Sequence, residues 1–154
     1  MTRPPFPSAT PDEIELYLRW LGFLRGAVVR KAGGITDEQA RWRPDGKLLP
    51  LVGVVNHLTG VESRWIDGEF LGADVGKPAD EYEPAVPIAD AIGAYRARAT
   101  ATDHAVRAIG DLTAPTLDGR YDLRFVLIHL INETARHAGH ADAVRELLDG
   151  TVGE

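Results

Sequence analysis

The sequence predicts an all-α protein, a bundle of about four long helices. Three observations support this fold class: apolar residues recur at steps of three and four along four segments, capping residues and glycines bound these segments, and no stretch shows the two-residue alternation of a β-strand. With 154 residues, of which 44% are hydrophobic and 26% charged, the chain has the make-up of one ordinary globular domain. We expect a Pro-rich lead-in over residues 1–10, the helical domain over 11–150 and a tail over 151–154.

The first long helix is predicted from a capping box that runs from Thr10 to Glu13, with proline in the first helical position. Gly33 and its neighbour provide the stop. A second capping box, from Thr36 to Gln39, predicts a short extra helical turn between the first two long helices.

Three further segments complete the predicted fold. The second long helix is expected over residues 51–72, with an inward stripe formed by Val54, Leu58, Val61 and Trp65. A Gly, Pro and acid-rich stretch over 72–87 indicates a surface loop long enough to be functional or mobile. A third helix follows up to Gly110, residues 112–121 have the composition of a turn or small hairpin, and the longest periodic segment runs from 123 to Gly150.

Composition excludes several classes of function. The formal net charge is -6 and no dense basic run is present, which argues against a nucleic-acid or anionic-membrane partner. The absence of cysteine excludes disulfide scaffolds, Cys-rich zinc modules and a cysteine nucleophile, and it fits a reducing cytoplasm. No apolar run approaches the roughly 20 residues that span a bilayer. We therefore expect a cytoplasmic protein.

The last helix gathers polar residues on its apolar stripe. With Glu133 as the zero of a helical wheel at roughly 100° per residue, His129, His137 and His140 all fall within about 40° of it. Leu130 and other apolar residues lie on the same side of the helix. Burying a carboxylate and imidazoles there is costly unless they are paired, hydrogen-bonded or bound to a metal.

A metal site would compensate this cost. Glu133 and His137 lie side by side because they are separated by four residues, and His57 on the second helix supplies a third ligand. Gly53 and Gly60 flank His57 at one turn on either side, which predicts free volume for a metal or substrate. Three ligands from two helices would leave a coordination position open, as in catalytic zinc sites.

Simpler explanations exist for each of these residues. A Glu and His four residues apart are commonly an exposed hydrogen-bonded pair, and a lone His57 is commonly a satisfied core histidine. Four of the five histidines nevertheless gather on two inward stripes, and only His104 has a solvated context. Arg64, on nearly the same face as His57, could bind an anionic substrate. It could equally pair with a carboxylate, with Glu62, Asp67 and Glu133 as the candidates.

Two stretches together, PLVGVVNHLTGVESRW and INETARHAGHADAVREL, resemble the DinB-like metalloprotein superfamily, especially its small domains of unknown function with an E-T-A-R-H-x-G-H run. The resemblance covers the chain from Pro11 to Gly150. It implies a four-helix bundle that holds a divalent metal, commonly zinc or nickel, through His57, Glu133 and His137. It also implies that His140 lies beside the ligands.

Glutamate as the first member of the pair departs from the majority H-x3-H pattern and is similar to the bundle domain of mycothiol-dependent maleylpyruvate isomerases. Those isomerases carry an additional C-terminal domain that contributes to the active site, whereas this sequence ends at Glu154. We therefore expect a thiol-dependent, mycothiol-type S-transferase acting on a small electrophile, with a low-molecular-weight thiol as co-substrate. Asn56, Arg64 and His140 are the candidates for orienting ligands or substrate.

Two alternatives stay open at this point. A metal-dependent hydrolase would use bound water at the same position. The other alternative belongs to a different class, a non-catalytic bundle. Its histidines would be packed polar groups or would form a closed metal site that stabilises the fold, and a homodimer is one possible assembly of such a bundle.

Overall fold

The structure, a computed structural model, describes residues 4–153. The first residues of the predicted lead-in, 1–3, and the last residue of the predicted tail lie outside the described residues. Five α-helices follow one another: α1 (Glu13–Ala32), α2 (Asp37–Arg41), α3 (Leu51–Glu62), α4 (Ile88–Ile109) and α5 (Leu123–Asp149). Residues 4–153 form no β-strand, and an isolated antiparallel bridge joins Pro115 to Asp122. The all-α prediction is confirmed.

The ends of the first two helices follow capping chemistry, with one correction. The N-cap of α1 is Asp12, whose carboxylate accepts a hydrogen bond from the Glu15 backbone N–H at 3.1 Å, and not the predicted Thr10. A carboxylate is the stronger cap because it also interacts favourably with the helix dipole. The short helix α2 does have the predicted capping box, in which Thr36 and Gln39 each accept from the other's backbone N–H.

The second predicted helix is interrupted. α-Helical hydrogen bonding ends at Glu62, and a π-helical turn follows over Ser63–Gly68. The wider turn is seen in the Glu69 N–H, which donates to the Arg64 carbonyl five residues earlier. It changes which side chains point inward, so that Ile66 is fully buried and Trp65, predicted as the end of the stripe, is half-buried.

The four long helices pack side by side. Helix α1 contacts α5 and α4, and α3 contacts α4 and α5. Two clusters of buried apolar side chains fill the interior, one around Val28, Leu58 and Tyr95 and the other around Leu21, Val61 and Leu127. None of the helices within residues 4–153 combines the length and the hydropathy that crossing a bilayer requires.

A buried ion pair links three of these helices. Arg25 on α1 donates through Nε and Nη2 to both carboxylate oxygens of Glu62 on α3, at 2.7 and 2.8 Å, and through Nη1 to Asp103 on α4 at 2.9 Å. Arg25 and Glu62 are almost fully buried. The pair fixes the mutual position of the helices because each charge depends on the other for compensation.

Candidate functional site

Helices α3 and α5 bring three metal-binding side chains together. One donor atom each from His57, Glu133 and His137 lies within 4.8 Å of the others. Oε2 of Glu133 is 3.7 Å from Nε2 of His57 and 3.6 Å from Nε2 of His137. The two imidazole rings meet edge to face at 4.7 Å, and both Nε2 atoms lie near the same carboxylate oxygen, so the three donors converge on one point.

The burial of this group differs from the prediction for α5. His137 is buried, whereas Glu133, His129 and His140 are only half-buried. The helix turns Val126 and Leu130 fully into the core, so the polar arc lies at the edge of the core rather than within it. The site is therefore accessible on its α5 side.

A loop residue that the sequence analysis did not single out completes the site. Glu81 lies in the stretch predicted as a surface loop, yet its side chain is 2% exposed. Its Oε2 is 2.8 Å from Nδ1 of His57, and Arg64 donates to its two oxygens at 2.5 and 3.1 Å. The prediction of a surface loop is therefore wrong at this residue, since the loop carries a carboxylate into the site.

The two glycines that flank His57 make room for this loop. A Cβ built on Gly53 would lie 2.0 Å from the Tyr82 carbonyl oxygen, and one built on Gly60 would lie 2.5 Å from Oε1 of Glu81. The space predicted to be free for a metal or substrate is thus filled by residues 81 and 82. Close approach of a second backbone is an established reason for glycine within a helix. The two glycines were therefore the sequence signal for this contact.

The hydrogen bond from the loop determines the tautomer of His57. A carboxylate only accepts, so Nδ1 of His57 carries a proton, and Nε2 is the nitrogen that faces Glu133 and is left to bind a metal. Burial raises the pKa of Glu81, but hydrogen bonds from Arg64 and His57 outweigh it and hold that pKa below its ordinary value. The carboxylate therefore stays charged at neutral pH.

His137 is also in its metal-binding form. Burial lowers the pKa of His137 to about 4, and repulsion from His57 in its protonated form acts in the same direction, although Glu133 opposes the shift. The ring is then neutral at pH 7, and its buried Nδ1 has no hydrogen-bond partner in the described part of the chain. Two imidazoles and one carboxylate form a donor set that suits first-row divalent metals, zinc and nickel among them.

The remaining predicted residues surround the three donors. Asn56 donates from Nδ2 to the backbone oxygen of Glu81 at 2.8 Å and so holds the loop in place. The ring of His140 packs edge-on against His137 at 5.3 Å. His129 packs instead against Trp65 at 4.9 Å. Among the described residues, neither His129 nor His140 belongs to the converging group.

Arg64 has a different partner from those proposed for it. Both of its terminal nitrogens contact Glu81, which leaves it less suited to the predicted contact with an anionic substrate. The three predicted carboxylate partners are wrong: Glu62 pairs with Arg25, Asp67 pairs with Arg98, and Glu133 faces the two histidines. The π-helical turn places Arg64 beside the loop, which periodicity at 3.6 residues per turn does not indicate.

Comparisons with known proteins identify the family and the fold. The profile of the mycothiol-S-transferase family matches residues 17–150. A crystal structure of a conserved protein from Enterococcus faecalis is similar in fold, with a TM-score of 0.57 and 13% sequence identity over 92% of this chain and 100% of that one. No curated protein matches the chain. Since the family profile covers almost the whole helical region, the chain belongs to the mycothiol-S-transferase family of the DinB-like superfamily.

Proposed function

We propose that this protein is a divalent-metal-dependent S-transferase of the DinB-like four-helix-bundle type, which joins a low-molecular-weight thiol of the mycothiol kind to a small electrophile. The observation that carries the proposal is the convergence of His57, Glu133 and His137 on one point. Membership of the mycothiol-S-transferase family supports the choice of thiol chemistry. We propose residues 11–150 as the functional domain, and the cytoplasm as its location because thiols are kept reduced there.

In this proposal the three side chains hold the metal, with zinc or nickel as the candidates. A divalent metal at such a site would lower the pKa of a coordinating thiol, so that the thiolate is present at neutral pH. In the transfer itself, the thiol releases its proton to solvent, its sulfur forms the new bond to carbon, and the electrophile releases its leaving group with the bonding electron pair. Three protein ligands leave room for the thiol.

The surrounding residues of this chain position the donors. Glu81 keeps the proton on Nδ1 of His57, and Arg64 compensates the charge of Glu81. Asn56 fixes the loop backbone at the same residue. We propose that His140, half-buried beside His137, contacts the bound substrate from α5. Outer hydrogen bonds of this kind orient ligands and raise metal affinity.

Elemental analysis followed by conjugation assays tests this function. The purified protein is expected to contain about one divalent metal per chain, and the double variant Glu133→Ala with His137→Ala is expected to lose it. Conjugation of mycothiol to a small chlorinated aromatic electrophile should stop with chelator and return when zinc or nickel is added. The control variant His104→Ala alters an exposed histidine on α4 and should retain both metal and activity.

Two results would overturn the assignment. Full metal content in the double variant would remove the three donors as the site, and conjugation that is unaffected by chelator would remove the metal from the reaction. Hydrolysis of an activated ester in place of conjugation would favour the metal-dependent hydrolase.

A structural metal site is the second candidate, and one observation favours it. The volume beside His57 is occupied by residues 81 and 82, so the glycines provide no separate substrate space on that side. Thermal melts with and without chelator distinguish the two functions. A large loss of stability on metal removal, with no conjugation by the loaded protein, would identify a stabilising site.

A further inference from the structure

A second cleft lies between α1 and α4, the pair of long helices that does not carry the three donors. Its volume is about 440 Å³. Its walls include Gly22, Gly26 and Arg30 from α1 and Tyr95, Arg96 and Thr100 from α4. None of these residues belongs to the candidate metal site or to the loop that carries Glu81, so the cleft is a separate feature of the fold.

One arginine in this cleft lacks the partner that its chemistry calls for. Nε and Nη2 of Arg30 are buried and have no hydrogen-bond partner among residues 4–153. These two nitrogens form the edge of a guanidinium that holds two oxygens at once. Arg25, on the same helix, uses the same two atoms to bind both oxygens of Glu62 at 2.7 and 2.8 Å. Arg30 has an equivalent edge without a carboxylate.

The opposite wall adds a second free positive charge. Arg96 on α4 is exposed and forms no ion pair with any residue in the described range. Seven other arginines each contact a carboxylate: Arg25, Arg43, Arg64, Arg98, Arg107, Arg124 and Arg145. Five further arginines also form no ion pair within residues 4–153: Arg19, Arg30, Arg41, Arg120 and Arg136. Arg96 is therefore distinguished by its place on the cleft wall.

The acidic residue of the lining offsets only one of these two charges. Asp103 is held by Arg25 at 2.9 Å, and Arg25 is shared with Glu62, so these three residues carry a net charge of −1 and the cleft with Arg30 and Arg96 keeps a net charge of +1. Gly22 and Gly26 add no side chain to the α1 wall, and a Cβ on Gly26 would lie 3.1 Å from Nη1 of Arg30. The Arg30 guanidinium therefore lies close against α1. Because Gly22 and Gly26 have no side chains, the space beside the guanidinium stays open.

We propose that this cleft binds a small anion with at least two oxygens, a carboxylate or a phosphate group. Binding turns the Nε and Nη2 edge of Arg30, which is shielded from solvent in this structure, towards two of the oxygens, and Arg96 provides the second charge from the facing helix. Ligand binding would satisfy buried donors whose isolation is costly. The proposal does not depend on the thiol-transfer function, since it uses neither the three donors nor α3 and α5.

The test measures binding of inorganic phosphate and of acetate to the full chain by NMR, at constant ionic strength set with chloride. Saturable shifts of the amides of Gly22, Gly26 and Thr100 are expected. The ion that binds more tightly shows whether the cleft takes a phosphate or a carboxylate. Arg30→Gln should weaken binding about tenfold, the size expected for loss of a charge-assisted pair.

The controls separate this cleft from other effects. Arg96→Gln alters an exposed side chain and should weaken binding without loss of fold. Arg120→Gln makes the same charge change in an exposed turn and should leave affinity unchanged. Shifts confined to α3 and α5, or equal affinity in the wild type and in both cleft variants, would overturn the proposal. An absence of saturable binding for both ions would do the same, whatever the conjugation assay shows.

Discussion

Nδ1 of His57 and Oε2 of Glu81 are 2.8 Å apart, although 24 residues and a whole loop separate them along the chain. The contact joins a helix to a segment with no regular structure, and it determines which nitrogen of His57 is free to bind a metal. It also explains the two glycines on α3, because the loop reaches His57 only where no side chain blocks it.

Removal of this carboxylate should weaken metal binding. In Glu81→Ala, His57 loses the acceptor that fixes its tautomer and ring orientation, and we expect zinc affinity to fall by about 10–100-fold. Titration calorimetry on the metal-free protein measures the change. Glu83→Gln is the matched control, since Glu83 lies in the same loop but is exposed and contacts Arg43. Equal affinity in the wild type and Glu81→Ala would show that Glu81 is only structural.

Alanine at the two glycines of α3 should be destabilising, against the helix-propensity expectation. Propensity alone favours Gly→Ala by about 1 kcal/mol within a helix. At Gly53 and Gly60 the added Cβ meets the loop at 2.0 and 2.5 Å, and such overpacking costs about 1–3 kcal/mol. Urea unfolding should therefore show a net loss for both variants. Gly93→Ala on α4, where nothing lies within 4 Å, should gain stability, and a similar gain at Gly60 would refute the packing argument.

The stability of the metal-free protein should depend on pH through His137. Its pKa is about 4 in the folded chain, below the ordinary 6.5, mainly because of burial. Between these values the unfolded chain binds a proton that the folded chain does not, so stability decreases as pH falls from 6.5 to 4. We expect a loss on the order of 2–3 kcal/mol that is absent in His137→Gln. Urea unfolding at pH 7 and pH 4.5 measures it, with His104→Gln as the exposed control; identical pH dependence in His137→Gln would contradict the assignment.

The buried ion pair between α1 and α3 should be far more sensitive than an exposed one. Glu62→Gln leaves Arg25 buried without its main countercharge, and we expect a loss of about 3–5 kcal/mol. Glu15→Gln disrupts the exposed pair with Arg107, which joins α1 and α4, and should cost less than about 1 kcal/mol. Chemical unfolding compares the two variants. Equal losses of unfolding free energy in the two variants would mean that burial does not determine how much the Arg25–Glu62 pair contributes to stability.

Local patterns were sufficient for most of the helical framework. The ends of α4 and α5 at Gly110 and Gly150 follow from glycine in the left-handed conformation, with φ of 65° and 78°. The spacing of Glu133 and His137 alone places them one turn apart on α5. The pairing of α3 with α5 was expected from the apolar stripes and from the resemblance to a known superfamily.

The sequence by itself determined the helical class, the main helix boundaries and the candidate donors, because each depends on interactions within a few residues. Only the tertiary structure decided that Glu81 enters the site, that Arg64 contacts it and that the space beside Gly53 and Gly60 is filled. The physical reason is that periodicity describes one helix at a time. A loop has no periodicity, and nothing local distinguishes one acidic loop residue from its neighbours until the chain packs against α3.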